Sequence, residues 1–268
     1  MDVNKVLFIS QEITPYLAEN DLSLFGRDLP QAIQEAGIEV RTFMPRYGII
    51  NERRNQLHEV IRLSGLNISI DDNDHPLIIK VATLQPSRMQ VYFIDNDDYF
   101  LRHTSQGLET YLSPEDNDER IIFFVRGVVE TVKKLRWEPS VIHCTGWVTA
   151  LTPLFLKRVY ADDPSFAGTR IVYSLYDTKF DGNLDHLMVE KLRLDGFSDD
   201  DLTSLLDGDV DYNKLNKIAM DYADAIVQSS PEIDPELIEY ARKSGKPFLP
   251  YPGTDNYAEA YLDFYRSL

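Results

Sequence analysis

The sequence has a single cysteine, Cys144, in 268 residues. An intrachain disulfide is therefore excluded, and so is a zinc site built from cysteines. None of the thirteen glycines forms a G-x-G, so the dinucleotide fingerprint is missing. The phosphate-cradling G-x-x-x-x-G-K-[ST] is missing too, and no G-x-S-x-G elbow offers a serine nucleophile. Five histidines, His58, His75, His103, His143 and His186, lie scattered without metal spacing on a helix. No apolar run approaches the ~18 residues of a membrane span. The opening MDVNKVLFISQEITPY meets Glu12 after a short apolar stretch, so it reads as a first strand rather than a leader. A cytoplasmic location is the expectation. Basic residues are scarce: 27 Lys and Arg face 44 Asp and Glu, a formal net charge of −17. That balance disfavours nucleic acid, whose binding runs on phosphate neutralisation, and an anionic membrane surface.

What is present is ordinary globular material, 43% hydrophobic and 11% aromatic. Lys5–Ser10 suits a buried parallel strand. A loop follows, and Asp28 to Ala36 reads as a helix with Asp28 as N-cap, Pro30 in the first turn and Gly37 at its end. Val40–Met44 is the next strand. Leu57–Ile70 and Leu77–Leu84 read as an extended pair joined by Asp71-Asp72-Asn73-Asp74. Met89–Asp95 is a strand, and Asn96 to Glu115 reads as loop. Asn117–Arg136 is the clearest helix, with Ile121, Phe124, Val125, Val128, Val132 and Leu135 on one face. Then come a strand at Val141–Cys144, a helix at Trp147–Tyr160 that Pro153 kinks or delays, and a strand at Arg170–Leu175. Asp177–Asp211 is an acidic excursion. Tyr212–Tyr222 is helical, Ala225–Gln228 a strand, Pro235–Lys243 a helix, and Tyr257–Leu268 keeps helical register. This alternation predicts one α/β domain: a Rossmann-like, mainly parallel sheet with helices on both faces.

Little of this names a reaction. Asp207, Asp209 and Asp211 alternate like a calcium loop, but Tyr212 and Ile218 stand where its glycine and glutamate belong. Asp95 and Asp97 follow a strand end where paired carboxylates can hold a divalent ion, yet two aspartates arise easily in an acidic chain. His143 and Cys144 are adjacent strand residues and point to opposite faces, so they form no dyad. No metal and no cofactor is expected. Ligands of open α/β sheets sit beyond the carboxyl ends of the strands, here Ser10–Asp21, Asp95–Phe100, Cys144–Trp147 and Tyr176–Gly182.

At those ends the chain resembles the N-terminal domain of bacterial glycogen synthase and plant starch synthase, retaining glycosyltransferases of the two-domain GT-B fold. The stretches that carry the resemblance are SQEITPYLAENDLSLFGRDLP, MPRYG, VYFIDNDDYF, DNDERIIFFVRGVVE, WEPSVIHCTGWVTALTPLFLK and YADAIVQSSPEI. They occur in order along nearly the whole chain. The family implies ADP-glucose as donor and an α-glucan as acceptor. Glu12, His143 and Trp147 match its pattern.

The departures fall on the family's chemistry. Its Lys-Thr-Gly-Gly-Leu loop aligns with Ala18-Glu19-Asn20-Asp21-Leu22, which loses the lysine and two glycines and adds two carboxylates. Like charges ~4 Å apart repel by about 1 kcal/mol in water and by more in a cleft. The family's His-Asp-Trp-His aligns with Thr145-Gly146-Trp147-Val148, and its Thr-x-His-Asn with Ser174-Leu175-Tyr176-Asp177. Family members also run nearly twice this length, and their second domain carries most nucleotide contacts. Two readings of different class follow. One is a degenerate glycogen-synthase-like protein that binds an α-glucan or a glycogen-metabolism enzyme. The alternative is an active glycosyltransferase whose second domain comes from a partner chain. Under the first, Glu12, Tyr16, His143, Trp147, Tyr176 and Asp177 are expected to form an exposed sugar-binding wall. The final helix would cap the sheet edge, and a second copy of the chain is another candidate cover.

Overall fold

In a computed structural model of the chain, the described residues are 2–101, 103–104, 107–108, 114–255 and 257–268. β1 (Lys5–Ser10) is followed by α1 (Asp21–Glu35) and β2 (Glu39–Pro45). Next come β3 (His58–Glu59), β4 (Leu66–Ile70), β5 (Asn73–Leu84) and β6 (Met89–Asp95). The short α2 (Asp97–Phe100), β7 (His103–Thr104) and β8 (Gly107–Leu108) precede α3 (Pro114–Leu135). The second half runs β9 (Val141–Thr145), α4 (Thr152–Lys157), β10 (Arg170–Leu175), α5 (Met188–Leu194) and α6 (Tyr212–Tyr222). It continues through β11 (Ala225–Gln228), α7 (Pro235–Lys243), β12 (Phe248–Leu249) and α8 (Tyr257–Ser267).

Ten strands form one sheet in the order β12-β11-β10-β9-β1-β2-β6-β5-β3, with β4 paired to β5. Pairing is parallel from β12 to β6 and antiparallel beyond it. Phe8 lies opposite His143, and His143 opposite Val172. This register delivers the carboxyl ends of β1, β9, β10 and β11 to one edge, with Ser10 and Ser174 both beside Thr145.

α3 is more deeply buried than a one-faced helix. Ile122, Phe123 and Val129 are as inaccessible as Ile121, Phe124 and Val125, because α4 and the β4–β5 hairpin also pack on it. The hairpin turn is tighter than the four residues expected. Asp71 and Asp72 both take positive φ, 48° and 59°, and Ile70 pairs directly with Asn73. That is the twist of a type I′ turn, which aspartate tolerates.

Several boundaries differ from the sequence reading, among them those of β5 and α3, which begin at Asn73 and Pro114 rather than at Leu77 and Asn117. α1 begins at Asp21 rather than after Asp28. Asn20 caps it, accepting from the Ser23 backbone N–H at 2.8 Å while its own N–H donates to the Ser23 hydroxyl at 2.9 Å. A helix therefore absorbs Leu22, Phe25 and Gly26. Trp147–Thr149 is a short 3₁₀ turn, and α4 starts only at Thr152, with Pro153 in its first turn where a missing N–H costs little. The segment from Asn96 to Glu115 holds α2, which Asn96 caps by accepting from the Asp98 and Tyr99 N–H groups. Most of the rest of that segment lies outside the described residues.

Candidate functional site

The loop between β1 and α1 is fastened at several points. The Gln11 N–H donates to the Thr145 carbonyl at 3.0 Å, and the Tyr47 hydroxyl donates to the Gln11 carbonyl at 3.0 Å. The Gln11 side chain accepts from the Val148 N–H at 3.2 Å. It passes so close to Gly146, whose φ is +89°, that a β-carbon there would lie 2.6 Å from its oxygen. Glu12 is buried and accepts from Asn20 Nδ2 at 2.7 Å, which ties the loop to the cap of α1. α1 can approach the loop because residue 26 is glycine. A β-carbon there would sit 2.2 Å from the Glu12 carbonyl oxygen.

The six residues expected to form an open wall are not brought together on one surface. Tyr16 is buried edge-on to Phe93, with ring centroids 4.8 Å apart. Trp147 is buried edge-on to Phe180 at 4.9 Å. Glu12 serves the loop. His143 is fully buried, because α8 lies across the ends of β9 and β10. Its Nδ1 is bonded to the Tyr265 hydroxyl and its Nε2 to the Ser174 hydroxyl. The chain of hydroxyls continues through Ser229, 2.9 Å from Ser174, to Tyr261 at 2.7 Å. With no carboxylate partner among the described residues, burial lowers the His143 pKa to about 3, so the ring is neutral. The capping helix thus covers part of the expected wall, and His143 is structural in this arrangement.

Tyr176 and Asp177 remain near accessible space. Asp177 is exposed, and its N–H donates to the Ser230 hydroxyl at 3.0 Å. Tyr176 lines a cavity of about 430 Å³ at the carboxyl ends of β10 and β11. α1 contributes Asp21, Leu24, Phe25 and Asp28 to it. The ends of β11 and β12 contribute Ser229, Ser230 and the stretch 251–254, and α8 contributes Tyr257 and Tyr261. Phe25 is the hub of the rings, with its centroid 5.7 Å from Tyr176, 6.1 Å from Tyr257 and 5.6 Å from Tyr261. Burial first, and then the Asp21 charge, push the Tyr176 hydroxyl pKa well up. Burial, then Asp28, push that of Tyr257 up to about 12. Both phenols stay protonated and can donate hydrogen bonds at neutral pH.

Sequence reasoning missed Phe25, Tyr251, Tyr257 and Tyr261 as cavity residues. Tyr257 and Tyr261 carried a signal, since their helical spacing was visible, but nothing local fixed where that helix docks. Phe25 was lost when the helix start was placed three residues beyond it.

The acidic motifs have other occupations. Asp95 is buried between Lys80 at 2.8 Å and Arg46 at 3.3 Å, and both cations also reach Glu52. In the Asp207–Asp211 loop, the Lys214 ammonium binds the Asp207 and Asp209 carbonyls, while Asp211 caps α6. Among the described residues, no group of three or more His, Cys, Asp or Glu is placed to hold a metal.

A mostly parallel sheet whose open cavity lies beyond its strand ends is the architecture of a GT-B glycosyltransferase catalytic domain. A solved structure, the catalytic domain of Starch Synthase IV from Arabidopsis thaliana bound to ADP and acarbose, superposes with a TM-score of 0.75 at 18% identity. The superposition covers 96% of this chain and 55% of that one. The family model of the starch synthase catalytic domain matches residues 5–246, and the chain belongs to that family. Glycogen synthase of Chlorobium luteolum is 40% identical over 192 residues, covering 70% of this chain and 39% of the relative. That of Chlorobium limicola is 36% identical over 233 residues, covering 83% and 47%. The chain therefore spans less than half the length of these relatives. No helix among the described residues is long and apolar enough to cross a membrane.

Proposed function

We propose that this chain binds an α-glucan through the cavity at the carboxyl ends of β10 and β11, and that it does not itself transfer glucose from ADP-glucose. The observation that carries the reading is the cavity's lining: aromatic rings, hydroxyls and carboxylates, with no Lys, Arg or His among the described residues. Aromatic faces stack on the apolar faces of sugar rings, while carboxylates and phenols bond their hydroxyls. A diphosphate needs cations or free backbone N–H groups. Here Asp21 occupies the first turn of α1, with Glu19 just before the cap, so the anion-attracting end of that helix is neutralised. ADP and acarbose are bound by the Arabidopsis relative. Of that pair, the saccharide is the kind of ligand these residues suit.

The test is a titration of the chain with maltooligosaccharides and with ADP-glucose, followed by NMR. Maltooligosaccharides should shift cavity resonances with dissociation constants nearer millimolar than nanomolar. Phe25→Ala should abolish the shifts. Saturable ADP-glucose binding at micromolar concentration, with no response to maltooligosaccharides, would refute the reading.

A second reading keeps transferase activity, with a partner chain supplying the other domain. It draws on the family match around Glu12 and Trp147. Radiolabelled ADP-glucose transfer to glycogen, with and without glycogen-metabolism enzymes added, decides it.

A further inference from the structure

The cavity's charge is one-sided. Its lining carries two carboxylates, Asp21 and Asp28, and no cation among the described residues. The cation nearest in sequence, Arg27, is bound through Nε to Asp28 at 2.5 Å. Asp21 lies exposed at the start of α1. The carboxylate field reaches the interior at Tyr176, whose pKa Asp21 raises after burial, whereas at Tyr257 the effect of Asp28 is opposed by that of Arg27. Four rings, Phe25, Tyr176, Tyr257 and Tyr261, converge in the same space.

We propose that this cavity takes a saccharide unit carrying a protonated amine, in preference to a neutral glucose unit or a sugar phosphate. The inference rests on the reading of the cavity as a saccharide site and narrows its ligand class. An ammonium group is attracted both to aromatic faces and to carboxylates. The remaining sugar hydroxyls meet Ser229, Ser230 and the phenols. A phosphate would face the exposed Asp21 carboxylate, while the Arg27 guanidinium is already paired with Asp28. The volume, about 430 Å³, is that of a small-molecule pocket and accommodates a sugar unit.

Glucose and glucosamine differ only by the exchange of one hydroxyl for an amine, which makes them the probes of choice. The chain is titrated by NMR with glucosamine, glucose, N-acetylglucosamine and glucose 6-phosphate, at a pH where the amine is protonated. Glucosamine should bind roughly tenfold more tightly than glucose, equivalent to about 1.4 kcal/mol. N-acetylation should remove the gain, and glucose 6-phosphate should bind more weakly than glucose. The glucosamine-to-glucose ratio should narrow at high salt, where exposed charges are screened. Asp21→Asn should narrow it too, with Asp28→Asn as a second variant, each checked for an unchanged backbone spectrum.

Equal affinity for glucose and glucosamine, with maltooligosaccharides bound, overturns the amine preference and leaves the saccharide reading intact. Glucosamine binding without any maltooligosaccharide binding upholds the preference and removes the neutral-glucan reading. No response to any of these sugars overturns both.

Discussion

The Tyr265 hydroxyl is hydrogen-bonded to Nδ1 of His143, a partner 122 residues earlier in the chain, and both residues are fully buried. This contact fastens α8 to the centre of the sheet. Tyr265→Phe removes the hydroxyl and leaves the imidazole nitrogen unsatisfied. The loss should be about 1–3 kcal/mol of unfolding free energy. Urea denaturation with an unchanged slope would report it as a stability effect, and a stability equal to wild type would show that the bond contributes nothing.

The same histidine should remain neutral through mild acid. Its folded pKa, about 3, lies below the ordinary value of 6.5, so below pH 6.5 the unfolded chain binds the extra proton. Stability from this group is complete above pH 6.5 and is lost progressively as pH falls toward 3. The His143 ring resonances should keep their neutral-form shifts down to about pH 4. A midpoint near 6.5 in the folded protein would contradict a ring buried among neutral hydroxyl partners.

Asp118 should act in the opposite sense. Burial raises its carboxyl pKa from 3.8 to about 6, although Lys191 lies 2.7 Å away. At Lys191 the balance reverses, because Asp118 and Glu119 together outweigh its burial and raise its pKa. A raised carboxyl pKa means stability that is complete below pH 3.8 and lost as pH rises through 6. Asp118→Asn should flatten that component between pH 4 and 6 in a pH series of denaturation curves. A wild-type and variant difference that is constant across this window would show that Asp118 does not titrate there.

Gly26→Ala should be costly out of proportion to one methyl group. The new carbon would meet backbone, the Glu12 carbonyl at 2.2 Å, and backbone cannot rotate away. A loss of about 2 kcal/mol or more is expected, in the upper range for overpacking. Thermal unfolding of the variant at unchanged midpoint would mean that α1 shifts freely.

Glu19→Gln with Asp21→Asn should make the start of α1 more hospitable to anions. Each removed charge is worth about 1 kcal/mol in water at close range. Calorimetry at low salt should show ADP-glucose affinity increased severalfold over wild type. No change would mean that these carboxylates do not exclude the nucleotide.

The sheet was readable because its strands are short runs rich in branched and aromatic residues, such as KVLFIS and MQVYFID, bounded by turn-forming segments. The helices with one-sided spacing were readable from that spacing. Local chemistry misled at α1, where Asp28 and Pro30 look like a helix start while the true cap pairs Asn20 with Ser23. The strand ends were readable as the edge where a cavity would lie, since strand polarity alone brings the ends of β10 and β11 there. Which of them face a ligand was not readable. That depends on where α8 docks, and its docking is set by contacts with Phe25, more than two hundred positions away, and with His143, more than one hundred away, in no local pattern. So His143 and Trp147 were assigned to a surface they do not reach, while Phe25 and Tyr257 were passed over.

The main path of the ten-stranded sheet ends in β3 at one side and β12 at the other, each only two residues long. An edge of that length offers at most a pair of unpaired backbone groups to a passing strand. The hydrophobic centre of the sheet, with its long parallel runs, would be a strong template for uncontrolled pairing if it were presented sideways. Instead its described margins are the two-residue β3 and β12 and the five-residue β4, short strands that offer a foreign strand little to pair with.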